Sequence, residues 1–146
     1  MTTTEAIRLL EQFRAGAVDC DAVMRAFQAA PVADLGFATV DTHRALRQGF
    51  PEVIFGAGKT PAQVAGIAAQ LLRHDRRVLV TRATREQARR LCRQFKSAVY
   101  HETARCVTVD RKPLPQRPGC IAVVCAGTSD LPVAEEAAVT AEIMGN

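Results

Sequence analysis

The chain has 146 residues, of which 48% are hydrophobic and 23% are charged, so it can bury one sizeable core or two small ones. No apolar run is long enough to cross a bilayer, and the amphipathic start MTTTEAIRLLEQF differs from a signal peptide. We therefore expect a cytoplasmic protein without a membrane partner. The five cysteines are odd in number and form no C-x-x-C pair, which argues against a zinc site or a complete disulfide framework. Most of them are predicted to be small buried hydrophobes.

Positive charge is concentrated in the middle of the chain. Residues 71–117 contain thirteen Lys and Arg against four Asp and Glu, although the whole chain carries only +4. Either this region contacts nucleic acid or a phosphorylated small molecule, or its arginines form the solvated face of a helix. The absence of Trp and the single Tyr disfavour single-stranded nucleic acid as the partner.

A helical hairpin is predicted over residues 1–34. Thr4 is expected to cap the first helix, and the second helix follows Asp19. The apolar residues of the first helix recur at helical spacing: Ile7, Leu10 and Phe13.

Residues 35–112 are predicted to form a small α/β domain. FPEVIF and Val78–Val80 read as strands, and each is followed by a helix, so we expect the two strands to pair in parallel. AVYH and RCVTVD predict a further strand pair. The inward residues expected in the two helices are Val64, Ile67, Ala68, Leu71 and Leu72, then Ala88, Leu91, Cys92 and Phe95.

The stretch VIFGAGKTPAQV between the first strand and its helix superficially resembles a phosphate-binding loop. That motif requires a glycine where Val53 stands, so the stretch is not predicted to be a phosphate-binding loop. Thr60 followed by Pro61 instead predicts a helix N-cap with proline at the first helical position.

Residues 113–119 read as a linker, since RKPLPQRPG holds three prolines and three cations in nine residues. Residues 120–146 then give an apolar strand, Ile121–Cys125, a turn and an alanine-rich helix. One parallel strand and one helix cannot close a domain. We therefore expect either the front part of a longer protein or a unit that docks onto the preceding domain or onto another chain.

The turn GTSDLP joins the end of the strand to the start of the helix, where backbone N–H groups and the helix dipole favour an anion. Gly127 permits a close backbone approach, and Thr128 and Ser129 offer hydroxyl groups. Asp130 either orients a ligand group or, with Ser129, simply satisfies the helix N-terminus.

The run AVVCAGTSDLPVAEEAAVTAEIMGN resembles the start of the PurE-like (aminoimidazole ribonucleotide carboxylase-like) domain of LarB proteins, the nickel-pincer cofactor biosynthesis family. LGFATVDTHRALRQGFPEVIFGAGKTP resembles their N-terminal region. The fold class that follows is α/β: an N-terminal helical hairpin and a small α/β domain, then the first β-turn-α unit of a PurE-like doubly wound parallel sheet.

The resemblance implies an enzyme that carboxylates the pyridinium ring of nicotinic acid adenine dinucleotide with CO2 or bicarbonate. It also implies hydrolysis of the phosphoanhydride, which releases AMP and pyridinium-3,5-biscarboxylic acid mononucleotide. No tightly bound cofactor is expected, and the role of Mg²⁺ in the hydrolysis stays open. The family's nucleophilic cysteine lies later in the PurE-like domain, so the chain alone is expected to be inactive. Closed homo-oligomers are common among PurE-like domains.

Carried over onto this sequence, the resemblance places Gly127, Thr128, Ser129 and Asp130 at the ribose-phosphate end of the substrate. The N-terminal signature adds weaker substrate-binding candidates: Asp41, Arg44, Arg47, Glu52 and Lys59. Arg47 and Glu52 equally suit an ion pair between domains. His43 is either a general acid-base group or an ordinary hydrogen-bonded histidine.

Two rival functions remain. One is a non-catalytic module that binds a nucleotide or nucleic acid through residues 71–117, and the other is a PurE-type carboxylase acting on a purine precursor. The N-terminal signature argues against the second.

Overall fold

The computed structural model describes residues 1, 3–28, 32–41, 44, 50, 52–111 and 119–146. Within these ranges the elements run as follows: α1 (Thr3–Arg14), α2 (Cys20–Gln28), β1 (Val32–Asp34), β2 (Thr39–Asp41), β3 (Val53–Phe55), α3 (Pro61–His74), β4 (Arg77–Thr81), α4 (Arg85–Gln94), β5 (Ala98–His101), β6 (Cys106–Asp110) and α5 (Leu131–Ile143). The mixed α/β class predicted from the sequence is confirmed.

The strands β3 to β6 form a mixed sheet in the order β3-β4-β6-β5. β3 and β4 are parallel, as the alternation of strand and helix predicts. β6 runs antiparallel to both β4 and β5, so the strand pair expected over AVYH and RCVTVD is also confirmed.

The helices α3 and α4 pack on one face of this sheet and against each other. All five residues predicted to face inward from α3 are buried, as are Ala88, Leu91 and Phe95 of α4. Cys92 is exposed, so its predicted inward position is wrong. The buried stripe of α4 is shifted toward Gln87, and Cys92 lies about 140° around the helix from that residue.

The helix α5 covers the opposite face at the two central strands. Leu79 of β4 and Cys106 of β6 are buried against Val139 and Ile143 of α5. The unit after the linker therefore docks onto the preceding sheet, which was one of the two expectations for it.

The predicted strand Ile121–Cys125 does not form. Residues 120–126 have no strand assignment, and Val124 is 89% exposed. A strand requires a neighbour for its backbone hydrogen bonds, and no described strand lies beside this segment. Residues 113–118 of the predicted linker lie outside the described ranges.

The helical hairpin at the N-terminus forms, with α1 in contact with α2. α1 begins at Thr3, so Thr4 lies inside the first turn and the prediction that it caps the helix is wrong. Asp19 does precede α2, where its Oδ1 accepts a hydrogen bond from the backbone N–H of Ala22 at 2.6 Å. Five large apolar residues of these helices remain 39–53% exposed: Ile7, Leu10, Phe13, Met24 and Phe27.

A second small sheet was missed from the sequence. β1 and β2 pair antiparallel around a tight turn. In this turn the backbone N–H of Leu35 donates to the carbonyl of Ala38 at 2.9 Å, and Gly36 has a φ of +77°. Glycine adopts that left-handed conformation without the steric cost that a side chain would impose.

Candidate functional site

Two loops meet at the carboxyl edge of the parallel strands. β3 leads into α3 through residues 56–60, and β4 leads into α4 through residues 82–84. The backbone N–H of Gly56 donates to the carbonyl of Thr81 at 2.8 Å, which joins the start of one loop to the end of the neighbouring strand. Ligands of open α/β sheets bind most often at this edge.

Each loop ends in a capping box that starts the following helix. Thr60 Oγ1 accepts from the backbone N–H of Gln63 at 3.2 Å, and Gln63 Oε1 accepts from the N–H of Thr60 at 2.8 Å. Thr84 and Gln87 form the same reciprocal pair. The interpretation of VIFGAGKTPAQV as a helix start is confirmed.

The side chain of Gln87 ties the two loops together. It is 1% exposed, and its Nε2 donates to the carbonyls of Gly56 at 2.8 Å and Lys59 at 2.6 Å. Its Oε1 meanwhile accepts from the backbone of Thr84. The reading of the sequence missed Gln87 because hydrophobic periodicity gives no weight to a buried amide.

Gly56 provides the space for this amide. A Cβ at position 56 would lie 2.8 Å from Gln87 Oε1 and 3.0 Å from the carbonyl oxygen of Thr81. The first distance is shorter than real Cβ contacts and the second is tight, so a side chain at position 56 would force the Gln87 amide or the backbone to shift.

Two arginines at this edge hold a left-handed backbone conformation. Arg82 has a φ of 51° and Arg105 a φ of 50°, which is uncommon for residues other than glycine. The backbone N–H of Ala83 donates to the carbonyl of Arg105 at 2.7 Å and fixes the two turns together. Backbone strain of this kind costs about 1–3 kcal/mol per residue and concentrates at functional sites. Neither arginine was singled out from the sequence.

An open groove of about 910 Å³ lies over this edge. It is bounded by both loops and by the turn between β5 and β6. The lining residues are Phe55, Ala57, Gly58, Arg82, Ala83, Thr84, Arg85, Tyr100, Glu102 and Arg105. Arg85 pairs with Glu102, so one carboxylate partly offsets the three guanidinium groups.

The N-terminus of α5 points to the same edge. Midway along the helix, Glu136 Oε2 lies 3.3 Å from Arg82 Nε, just after the carboxyl end of β4. At its end, the carbonyl of Ile143 accepts from Arg77 Nη1 at 3.1 Å, at the amino end of β4. α5 therefore runs opposite to β4, and the turn before α5 projects past the carboxyl edge.

That turn contains four of the predicted site residues, Gly127 to Asp130. The backbone N–H of Asp130 donates to the carbonyl of Gly127 at 3.0 Å, while the Asp130 side chain makes no capping hydrogen bond. Ser129 Oγ and Asp130 Oδ2 each lie 3.5 Å from the point where a Cβ on Gly127 would stand. The hydroxyl and the carboxylate thus gather above the glycine, and Asp130 does not serve as a cap.

The N-terminal signature residues are only partly brought together. The backbone N–H of Asp41 donates to Glu52 Oε2 at 2.7 Å, which joins these two predicted residues. Lys59 Nζ donates to the carbonyl of Phe55 at 2.9 Å and lies 6.0 Å from the centroid of its ring. Arg44 is exposed. Arg47 and His43 lie outside the described residues, and with them the proposed pair between Arg47 and Glu52.

The thiols differ from the expectation that most would be buried. Cys106 is buried, but the others are exposed: Cys20, Cys92, Cys120 and Cys125. Burial, aided by the Glu136 carboxylate, raises the pKa of Cys106 to about 11. At neutral pH this thiol stays protonated and is a poor nucleophile.

Two structural absences concern the described residues only. In these ranges no helix combines the length and the apolar character that crossing a membrane demands. Nor do three or more His, Cys, Asp or Glu side chains gather there as a metal site would need.

The fold is a mixed α/β domain with a candidate ligand site at the carboxyl edge of its parallel strands. Residues 32–112, more than half of the chain, match the LarB/PurE-like N-terminal domain, and the chain therefore belongs to the LarB family. The chain is also 30% identical over 114 residues to an uncharacterised protein of Methanocaldococcus jannaschii, MJ0165. That match covers 73% of this chain and 44% of the relative, so the chain spans less than half of the relative's length.

Proposed function

We propose that this chain is the N-terminal part of a carboxylase-type enzyme of the LarB family. The substrate proposed is nicotinic acid adenine dinucleotide, whose pyridinium ring is carboxylated and whose phosphoanhydride is hydrolysed with release of AMP. Family membership supports the carboxylase class. The specific substrate and the hydrolysis step rest on the resemblance of the turn and of the N-terminal signature.

One observation carries the proposal: the groove and the turn before α5 open at the same edge of the sheet. The ion pair between Arg82 and Glu136 holds α5 so that Gly127 to Asp130 project past the arginine-lined groove. A dinucleotide has two separate polar halves joined by phosphates. An arginine-lined groove for phosphate and an adjoining turn with hydroxyl and carboxylate groups for ribose match a substrate of that form.

The chemistry explains why binding and orientation matter here. A cationic pyridinium ring is electron-poor and cannot attack CO2. A thiolate that adds to the ring turns it into an electron-rich dihydropyridine, whose ring carbon attacks CO2. That carbon then loses its proton and the thiolate leaves, which restores the pyridinium ring. We assign that thiolate to the later part of the PurE-like domain and to none of the five cysteines here.

The residues of this chain hold the substrate for that step. Ser129 and Asp130 would bind the ribose-phosphate end through the hydroxyl and carboxylate gathered above Gly127. Thr128 adds a second exposed hydroxyl. Lys59, Asp41 and Glu52 remain weaker candidates, since their described contacts are to the protein backbone or to each other.

The test uses a protein that joins this chain to a complete PurE-like domain. It is incubated with nicotinic acid adenine dinucleotide and ¹³C-bicarbonate, and the products are analysed by mass spectrometry. We expect AMP and a pyridinium mononucleotide that has gained one labelled carboxyl group. Absence of both products would overturn the proposed reaction.

A variant series ties the activity to the turn. Asp130→Asn is expected to lower kcat/KM by about 10- to 100-fold, the range for losing a hydrogen bond to a charged group. Asp21→Asn, a matched change at an exposed position of α2, should leave kcat/KM unchanged. Equal kcat/KM values for the two variants would mean that the turn does not bind the substrate.

A further inference from the structure

The groove at the carboxyl edge combines the two kinds of side chain that bind nucleotides. Phe55 and Tyr100 contribute aromatic rings, and Arg82, Arg85 and Arg105 contribute guanidinium groups. Its volume of about 910 Å³ lies within the range of small-molecule sites. The turn before α5, which takes the ribose-phosphate end of the substrate, uses none of these side chains.

We propose that this groove binds the adenylate half of the dinucleotide. This inference rests on the proposed function, because that substrate supplies the adenylate. The ligand class is a nucleoside 5′-monophosphate, with its phosphate on the arginines and its base on an aromatic ring.

The arginines retain donors for a phosphate. Arg105 has no carboxylate partner within the described ranges. Arg82 uses Nε for Glu136, and a guanidinium has five N–H donors, so its terminal nitrogens remain available. Arginine and phosphate form paired, charge-assisted hydrogen bonds, which are the strongest of the common polar contacts.

The aromatic part of the groove is accessible. Phe55 is 56% exposed, and Tyr100 is partly buried against the main core, so its ring is held in place. Beside Phe55, nothing lies within 4 Å of the Cβ position of Gly58, which leaves the backbone open to a ligand. Aromatic rings stack on any base, so the groove itself does not discriminate adenine from other bases. Adenine occupies it because it is the base that the dinucleotide carries.

The spacing between groove and turn suits the two halves of one molecule. Asp130 and Glu136 are six residues apart on α5, which corresponds to about 9 Å along the helix axis. Since Glu136 contacts Arg82 at the groove, the turn lies about 9 Å along the helix axis from that arginine.

The experiment is calorimetric titration of AMP into the full 146-residue chain. We expect Arg105→Ala to weaken AMP binding by about tenfold, equivalent to about 1.4 kcal/mol. Arg90→Ala removes the same charge from the exposed face of α4 outside the groove and should change the Kd by less than about twofold. Adenosine and inorganic phosphate should each bind more weakly than AMP.

A second variant keeps the test decisive if Arg105→Ala fails to fold, as judged by circular dichroism. Phe55→Ala removes an exposed ring and should weaken AMP binding by about fivefold through lost stacking. Failure of the unmodified chain to bind AMP, or equal losses for Arg105→Ala and Arg90→Ala, would overturn the inference. AMP binding that depends on Arg105 supports the groove even when the carboxylation assay fails, and that failure counts against the proposed function alone.

Discussion

At the scale of single residues, the buried side chain of Gln87 joins the two loops of the site. Its amide bonds to Gly56, Lys59 and Thr84 in a buried position between the two loops. Gln87→Ala leaves three backbone groups without this partner and is expected to lower the free energy of unfolding by about 3 kcal/mol. Urea denaturation measures the change.

Gln94→Ala is the matched control for this variant. Gln94 lies on the same helix and is exposed, so its removal should cost no more than about 0.5 kcal/mol. Similar urea midpoints for the two variants would mean that the amide does not hold the loops together.

The buried carboxyl group of Asp75 makes the stability of the fold depend on pH. Asp75 follows the last residue of α3 and is 8% exposed. Burial raises the pKa of its carboxyl group from 3.8 to about 6. The positive charge of the N-terminal amino group lowers this pKa, and the negative charge of Glu5 raises it further. A raised pKa means that the folded state binds more protons than the unfolded state between about pH 4 and 6. Stability should therefore fall as the pH rises through that window and level off above it.

Asp75→Asn removes this dependence. At pH 7.5 the variant should be more stable than the original chain by about 3 kcal/mol, and at pH 3.5 the two should be nearly equal. Thermal or urea unfolding across this pH range checks the prediction. Glu135→Gln, at an exposed position, should leave the dependence of stability on pH unchanged. If Glu135→Gln reduced that dependence as much as Asp75→Asn does, the assignment to Asp75 would be wrong.

At the scale of elements, the attachment of α5 to the sheet decides whether the turn stays at the groove. Val139 is 4% exposed against β4 and β6, whereas Val133 of the same helix is 60% exposed. Val139→Ala removes buried methyl groups worth about 1.5 kcal/mol or more. Amide hydrogens of α5 should then exchange about tenfold faster, while those of β4 change little.

Hydrogen exchange monitored by mass spectrometry compares this variant with Val133→Ala. The exposed position should give the same α5 exchange as the original chain. Equal acceleration in both variants would mean that burial of Val139 does not hold α5 on the sheet, since a gain in helix propensity from Val→Ala would by itself slow exchange.

The elements also show what the sequence can and cannot predict. The starts of α3 and α4 were predictable because Thr60 and Thr84 cap their helices through contacts only three residues apart. The pairing of β1 with β2 escaped because strands of three residues carry too short a pattern to recognise. The strand expected at Ile121–Cys125 failed because strand formation depends on a neighbour, which local sequence does not reveal.

The same distinction applies to the candidate site. The GTSDLP turn stood out as a continuous motif. The left-handed conformations of Arg82 and Arg105 occur beside a hydrogen bond between residues 83 and 105, far apart in the chain. Gln87 likewise acts on residues about thirty positions away. Long-range contacts of this kind are absent from any local pattern.

At the scale of the whole molecule, the structure disperses the basic charge of residues 71–117. Arg77 pairs with Asp110 at 3.2 Å, on the edge opposite the groove. Arg82 and Arg85 pair with acidic residues at the groove itself. Arg90 and Arg93 lie on the exposed surface of α4. Within the described ranges these cations therefore lie at both edges of the sheet and on the surface of α4, and three of them are already paired with carboxylates.

This arrangement predicts weak, salt-sensitive binding of nucleic acid. A fluorescent 20-base-pair duplex titrated with the chain in 150 mM KCl should show no saturation below about 100 μM, the weak end of non-specific binding. The affinity should fall further as KCl rises, because each phosphate contact releases condensed counterions. If the exposed arginines of α4 cause this weak binding of the duplex, replacing Arg89, Arg90 and Arg93 together by Gln should abolish it. Micromolar or tighter duplex binding that persists at 200 mM KCl would instead favour a nucleic-acid-binding module over an enzyme of dinucleotides.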